Sequence, residues 1–524
     1  MIGVNGNLLI GVDVGTTSTK VLIADPIGRV LASGTADYQL LFPHVGWAEQ
    51  NPEDIFKGVK RAIKEAVSQI PKQSGEICAI SFSTQRDTLV VTDENNVPLR
   101  NAITWLDSRA GEECERLKRD VGEDTVYTIT GVPISTIWTG AFLLWLRTHE
   151  PEVWGKAACF GLVHDYLMCC FGAKEHYLDM TNACQTMFYD FVNNEWSEPL
   201  LAYMGITAER LPKLVKPTQA LGTLSPELAK ELNLSPEIRL IAGGGDQQCA
   251  MLGSGAIRQG DTEVCIGTAA NILAALETPQ LDESHQLICH RSLIPNNYVL
   301  EGAMLSTGKL IEWIADVFYP GEDKKNFYLK LNYEVATNSH PGANGLLITP
   351  HFEGAASPHW NYDARGVCLG LTLTTDRADI CRAVLEGISL EIKKNLILMQ
   401  QMGSCAQRII VSGGASNSPV WLQIIADVLE IPVITLENNE CAAIGSVILA
   451  GVGSGVYRDM EHGVANMVTI SKTYIPRAEY GSMYEEMLRV NENCYRALNE
   501  NDLFAQSMRL KQNDKFNSEI MSDA

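Results

Sequence analysis

The chain is short of positive charge: 41 Lys and Arg stand against 63 Asp and Glu, a formal net charge of -22 at pH 7. Such an excess of negative charge repels nucleic acid and acidic membrane surfaces, so neither is expected as a partner. It also means that any phosphate site must be built locally, from backbone N–H groups and a metal ion, not from a broad basic field. No uncharged apolar run reaches the ~18 residues that a membrane span requires. The 14 cysteines include no CxxC pair, only the adjacent Cys169–Cys170, and no secretory leader is recognisable. Reduced thiols and a cytoplasmic location are therefore the expectation. HExxH and closely spaced His/Cys clusters are missing, which leaves a dedicated zinc site without support. A Walker P-loop is missing too, because Gly308-Lys309 is followed by Leu310 and has no upstream glycine. No dinucleotide fingerprint follows any predicted strand.

What is present reads as a globular chain of 524 residues, 46% hydrophobic and 20% charged. That is too long for one ordinary core and predicts two large domains. The opening predicts strand, turn, strand: residues 8–13, a turn over 14–19 and a second strand over 20–25, with a third over 30–36. Pro52, Ile55, Val59, Ala62, Ile63 and Val67 follow helical spacing, with the proline in the first turn. Two β-rich runs come next, 77–83 and 88–92, and Asp93 to Asn96 forms the turn after them. The second half repeats the opening: a strand over 261–266, a small-residue turn at Gly267-Thr268-Ala269-Ala270, and a strand over 271–275. The glycines of the two turns, Gly15 and Gly267, lie 252 positions apart, close to half the chain. The expectation is two like domains, each offering a hairpin turn to a shared cleft. The boundaries are drawn at 7–251 and 252–505, with a polar tail over 506–524.

In the first turn, Gly15 lets backbone N–H groups approach an anion, and Thr16, Thr17, Ser18 and Thr19 add hydroxyl donors. Asp13, just upstream, suits a Mg²⁺ held between carboxylate and phosphate, directly or through water. An ordinary hairpin with a polar turn is the competing reading. Gly267-Thr268 gains its meaning only from the pairing with the first turn. A predicted strand over 408–412 runs into Gly413-Gly414-Ala415-Ser416, after which Ser418 caps a helix with Pro419 in its first turn. Trp421, Ile424, Ile425 and Val428 share one face of that helix, which should end before Pro432, with a strand over 433–436 next. Strand, Gly-Gly, helix lets a flat ring or a phosphate approach the backbone, although a tight turn explains the glycines nearly as well. Gly243-Gly244-Gly245-Asp246 follows an apolar strand over 239–242. The acid suits a carboxylate at a cleft floor that accepts the proton of an attacking hydroxyl; a solvated turn is the alternative.

Together these residues resemble the FGGY carbohydrate kinases, in order, over about 450 residues. The motifs are Asp13 to Lys20, Gly46-Trp47-Ala48-Glu49-Gln50-Asn51-Pro52, Trp105-Leu106-Asp107-Ser108-Arg109 and Gly245-Asp246-Gln247-Gln248. They continue with Ser357-Pro358-His359-Trp360, Ala364-Arg365-Gly366, and Gly413 to Ser416 with Trp421, Gln423, Ala426 and Asp427. The resemblance implies an α/β fold of duplicated ribonuclease-H/actin-like ATPase domains with an interdomain active-site cleft, and ATP as co-substrate with Mg²⁺. It implies Asp246 as general base and Asp13 as the metal-side residue. Gly15, Thr16, Thr17, Ser18, Gly267, Thr268, Gly413, Gly414 and Ala415 would bind ATP.

The acceptor is expected to be a small sugar or polyol, held by Arg86, Asp87, Trp105, Asp246 and Gln247, with a homodimer as a candidate assembly. Gln85-Arg86-Asp87 resembles the Gln-Arg-Glu of glycerol kinases, and Thr181-Asn182-Ala183 leans the same way. Gly243 to Asp246 and the stretch from Ala415 to Gln423 look more like xylulokinases. A ketopentose such as xylulose is slightly favoured, with glycerol or another short polyol as the alternative. From other classes, an actin-like ATPase without a sugar substrate would share the phosphate loops, and a non-catalytic sugar sensor would share the fold. The ATPase would not need Gln85-Arg86-Asp87 or Trp105 to line a sugar pocket, and the retained Asp246 argues against the sensor.

Overall fold

A computed structural model describes residues 7–71 and 74–512, the last two by backbone alone. They divide into two compact units. The first holds the described residues up to Gln259 together with Ala275–Leu300 and Glu437–Thr469. The second holds Gly260–Ala274, Glu301–Leu436 and the described residues from Ile470 onward. A single cut near residue 250 does not describe this arrangement, because two later segments return to the first unit.

The first unit is built on a six-stranded sheet in the order Ala220–Thr223, Arg239–Gly245, Glu76–Thr84, Asn7–Val14, Ser18–Ala24, Val30–Asp37. Asn7–Val14 pairs parallel with Glu76–Thr84 and antiparallel with Ser18–Ala24. Its side chains are buried on both faces, so it reads as a nearly unbroken apolar run and not as an alternation. Leu8, Ile10, Val12 and Val14 pack with Ile55, Val59, Ala62 and Ile63 of the helix Pro52–Ser68. Leu9 packs on the opposite face with Ala443, Ile444, Val447 and Ile448 of the helix Cys441–Ser454. Gly11 shares that second face: a Cβ there would lie 2.3 Å from the Ala443 carbonyl oxygen, so the helix rests on bare backbone. Asp13, two residues on, belongs to the same face by the period of the strand. This second covering helix is why Glu437–Thr469 belongs to the first unit.

Six successive strands of the second sheet, most of whose residues belong to the second unit, follow the order Ile470–Tyr474, Val433–Leu436, Arg408–Gly413, Asp261–Ile266, Ala270–Leu276, Tyr298–Met304. Asp261–Ile266 pairs parallel with Arg408–Gly413 and antiparallel with Ala270–Leu276, and Val433–Leu436 pairs antiparallel with the edge strand Ile470–Tyr474. The topology repeats that of the first sheet, and Ala270–Leu276 stands 252 positions after Ser18–Ala24 at both ends. The helix Pro419–Leu429 starts where its cap predicts, with the Ser418 side chain accepting from the Trp421 N–H, and Trp421, Ile424, Ile425 and Val428 are buried. The helix Leu503–Gln512 runs past residue 506, where the sequence predicts the start of a polar tail; residues 513–524 lie outside the described ones. Among the described residues, no helix is long and apolar enough to cross a membrane.

Candidate functional site

Three parallel strands of the first unit, Asn7–Val14, Glu76–Thr84 and Arg239–Gly245, end side by side. Asp13 stands opposite Ser83, and both Val14 and Gly245 stand opposite Thr84. Asp13, Gln85-Arg86-Asp87 and Asp246 therefore gather at the carboxyl edge of the sheet, the edge at which open α/β sheets bind ligands. The chain reaches Asp246 through Gly243, whose φ of +100° and whose place 2.0 Å (at Cβ) from the Phe82 carbonyl oxygen admit only glycine.

Asp246 is not in a solvated turn. It is the first residue of the helix Asp246–Ser254, with Gly245 at the N-cap, where the helix dipole favours a carboxylate. Its Oδ1 accepts from the Gln247 N–H at 2.8 Å and lies 3.3 Å from Arg86 Nε, and its side chain stays 26% exposed. Gln247 Oε1 is buried without a hydrogen-bond partner among the described residues, which suits a ligand hydroxyl. Asp87 is buried with φ of +56°, a left-handed conformation that is uncommon outside glycine and clusters at functional sites.

Asp13 accepts from the Ser83 hydroxyl at 2.9 Å. Its pKa is pushed up to about 7, first by burial, with the Ser83 bond opposing and the charges of Asp246 and Glu440 adding to the rise. Lys20, ion-paired to Glu440 at 2.5 Å, works in the other direction. A half-buried carboxyl that resists ionisation beside a second carboxylate is a place that gains from a cation.

The turn at Gly15 is held from several sides. Its N–H donates to the Ser18 carbonyl at 2.9 Å, and the Tyr38 hydroxyl donates to the Gly15 carbonyl at 2.6 Å. Gln50 Nε2 donates to the Thr16 carbonyl, and Gln85 Nε2 donates to Gln50 Oε1 at 2.8 Å. Trp105 Nε1 donates to Thr16 Oγ1 at 3.0 Å, so the indole holds the turn. The Thr17 carbonyl accepts from the Tyr38 N–H at 3.0 Å, and Ser18 begins the next strand.

Behind these residues lies a charged knot. Arg109 donates to Asp107 and, at 2.8 Å, to Glu49, and its guanidinium lies 3.7 Å over the Trp47 ring. Arg100 reaches the same Glu49 oxygen at 2.6 Å, and Asp107 Oδ2 accepts from the Ala48 N–H at 2.6 Å. The knot ties the segment carrying Gln50 to the segment carrying Trp105. Sequence reading missed Tyr38 and Arg100, and it placed Gln50, Glu49, Asp107 and Arg109 in motif stretches and Gln85 in the sugar lining without seeing that they brace the turn. The motif stretches 46–52 and 105–109 were a signal for most of them, whereas Tyr38 and Arg100 carried none.

The remaining candidates assemble in the second unit. Gly267 O accepts from the Gly308 N–H at 2.9 Å and from Thr307 Oγ1 at 3.2 Å, and Thr268 O accepts from the Thr307 N–H at 3.2 Å. The turn is thus seated on the start of the helix Gly308–Phe318. Ile266 pairs with Gly413, which has φ of +74° and whose Cβ would lie 2.5 Å from the Ile266 carbonyl oxygen. Gly414–Asn417 forms one short 3₁₀ turn, with Ala415 buried and Ser416 Oγ donating to the Gly413 carbonyl at 2.6 Å. Gly267, Thr268, Gly413, Gly414 and Ala415 therefore share two adjacent strand ends. Beneath them, fully buried Glu263 accepts from the Ser412 hydroxyl at 2.7 Å, and burial pushes its pKa up to about 8.

Among the described residues, two further groups bring metal-capable atoms within 4.8 Å of one another, a proximity that sequence spacing did not reveal: Cys159, Asp165 and His176, and His351, His359 and Glu391. In each the carboxylate is already engaged, Asp165 by His176 Nδ1 at 2.6 Å and Glu391 by Lys394 Nζ at 2.5 Å.

Comparison with known proteins bears on the whole arrangement. Residues 8–253 match the model of the FGGY carbohydrate kinases' N-terminal domain, and residues 263–454 match that of their C-terminal domain. A xylulose kinase of Staphylococcus epidermidis is 32% identical over 491 residues, covering 93% of this chain and 96% of that protein. A gluconokinase of Bacillus subtilis is 30% identical, covering 94% of this chain and 96% of that one. The crystal structure of ligand-bound xylulose kinase from Lactobacillus acidophilus superposes with a TM-score of 0.87 at 26% identity, covering 94% of this chain and 98% of that one. With two repeated mixed sheets of the actin-like ATPase class and both family domains matched in order, the chain belongs to the FGGY family of carbohydrate kinases.

Proposed function

We propose that this kinase transfers the γ-phosphoryl group of ATP to a hydroxyl of a ketopentose such as xylulose, with Asp246 as the general base. The observation that carries the reading is the placement of Asp246 at a helix N-terminus, partly exposed and beside Arg86, where three parallel strands end. The Asp246 carboxylate takes the proton of the acceptor hydroxyl. The freed oxygen forms the new bond to the γ-phosphorus, and the bond from that phosphorus to the β–γ bridging oxygen breaks as ADP leaves.

Arg86, Asp87, Gln247 and Trp105 surround the acceptor: a charged pair and an amide for vicinal hydroxyls, an indole face for their C–H side. The turn at Gly15, Thr16, Thr17 and Ser18 presents N–H and hydroxyl donors to phosphate oxygens, as Gly267 and Thr268 do in the second unit. Gly413, Gly414 and Ala415 border the nucleoside. Asp13 suits a magnesium ion, because its resistance to ionisation disappears once a cation stands beside it. When bound, that ion offsets charge on the phosphate oxygens.

A short polyol such as glycerol is the second reading, favoured by the Arg86-Asp87 pair at the sheet edge. A coupled ADP-release assay over glycerol, tetritols, pentitols, ketopentoses, ketohexoses and gluconate separates the two. Xylulose should give the highest kcat/KM, and Asp246→Asn should fold normally while losing about 10³-fold or more in kcat. Near-normal turnover of Asp246→Asn removes that residue from the role; release of ADP that no sugar accelerates removes sugar transfer altogether.

A further inference from the structure

A carboxylate outside the substrate edge has an arrangement that the reaction does not explain. Asp179 is fully buried, and among the described residues no lysine or arginine pairs with it. Its nearest basic group is His164, with Nε2 at 3.9 Å, an imidazole whose pKa burial lowers. Four donors surround it instead. Oδ1 accepts from the Thr181 N–H at 2.8 Å, Thr181 Oγ1 at 2.5 Å and the Asn182 N–H at 3.3 Å; Oδ2 accepts from Asn182 Nδ2 at 2.6 Å. A buried carboxylate with no cation is a costly way to fill a core, and an apolar residue would fill it at less cost.

The hydrogen bonds indicate what the arrangement achieves. Thr181 Oγ1 gives its proton to Asp179, which leaves a lone pair to accept from the N–H of Gly245 at 2.9 Å. Gly245 is the N-cap of the helix whose first residue is Asp246. Gly245 stands opposite Thr84 just past a register shift between Ile241 and Gly244, and the Thr181 hydroxyl takes its N–H at the point where the strand passes into the helix. Thr84, which stands opposite Gly245, is drawn to the same cluster: its Oγ1 lies 3.3 Å from His164 Nδ1 and donates to Asn182 Oδ1 at 3.4 Å. Space is tight as well, since a Cβ on Gly244 would lie 3.2 Å from Thr181 Oγ1.

We propose that Asp179 and Thr181 are positioning residues for Asp246, fixing through the Gly245 N–H the strand end from which the base projects. The inference rests on Asp246 being the base. Small displacements of a catalytic group are expensive: about 1 Å can cost about 10²-fold in rate. The relay should therefore act on kcat more than on binding.

The test compares Thr181→Val, which keeps the shape and removes the hydroxyl, with Thr181→Ser, which keeps the hydroxyl. Thr181→Val should lose about 30- to 100-fold in kcat while KM for ATP and sugar stays within about threefold, and Thr181→Ser should restore kcat to within about threefold of the unmodified enzyme. Asp179→Asn should lose kcat in the same way. Should Thr181→Val fail to fold, Thr181→Ala read against Thr181→Ser makes the same comparison of one oxygen. The proposal is overturned if the hydroxyl-free variant keeps its kcat, if Thr181→Ser falls equally far, or if kcat, KM and melting temperature decline together. Asp246→Asn assayed in parallel separates the two ideas. Normal turnover there removes the base itself, whereas an inactive Asp246→Asn beside a fully active Thr181→Val removes only the positioning.

Discussion

Glu263 lies fully buried on the central strand of the second sheet, bonded to Ser412, with its pKa pushed from 4.5 to about 8 by burial. The folded chain thus keeps a proton near neutrality that the unfolded chain has released. By linkage, this group's contribution to stability falls as pH rises from about 4.5 towards about 8 and is constant on either side of that window. Glu263→Gln removes the titration. The melting temperature of the variant minus that of the unmodified chain should climb across the same window, by about 2–4 °C for each kcal/mol; a flat difference would mean that the carboxyl is ionised throughout. Arg109 makes the opposite kind of prediction. It bonds two acids and stacks on Trp47, and its side chain has no solvent exposure. Arg109→Ala leaves Asp107 buried without its cation and should cost about 3–5 kcal/mol in urea unfolding. Trp105 and Gln50 should loosen with it, because the knot spans the segments that carry them.

At the scale of elements, the approach of the helix Cys441–Ser454 to its neighbours decides the sign of a substitution. A Cβ on Gly445 would lie 2.0 Å from the Cys249 carbonyl oxygen, and one on Gly253 would lie 1.9 Å from that of Cys441. Glycine to alanine inside a helix ordinarily stabilises by about 0.8–1 kcal/mol. Here it forces two backbones apart, so Gly445→Ala should destabilise by about 1–3 kcal/mol or more. Gly155→Ala, where a Cβ meets nothing within 4 Å, is the control and should be neutral or mildly stabilising. Equal effects in thermal melts would show that the helices can separate without loss. Such close approaches are not legible in a sequence. Local pattern was: the hairpins at Gly15 and Gly267, the helix from Pro52, and the Ser418 cap all follow from turn chemistry, proline placement and periodicity. The knot of Glu49, Arg100, Asp107 and Arg109 did not, because its partners come from separate segments and their pairing depends on the folded register of short strands. The same holds for Thr181 and Gly245, brought together by the folding of the first unit alone.

For the whole molecule, what periodicity could not show is that residues 437–469 belong to the first unit. The sequence suggests a cut near 250, yet the odd-numbered face of Asn7–Val14 is covered by Ala443, Ile444, Val447 and Ile448. A fragment ending at Gln259 leaves Leu9, Leu22, Ile241 and Leu252 without that cover. Each such side chain forfeits roughly 1.5–3 kcal/mol of burial, a large share of the stability of any single domain. The fragment should bind a hydrophobic dye, aggregate and lose protease resistance along its first strand. Rejoining 275–300 and 437–469 to it through flexible linkers should restore cooperative melting, because those segments supply the missing face without any contribution from the second unit. A fragment 1–259 that melts cooperatively as a monomer would mean that the sheet can stand with one face bare, and the assignment of the returning helix as part of that core would have to be abandoned.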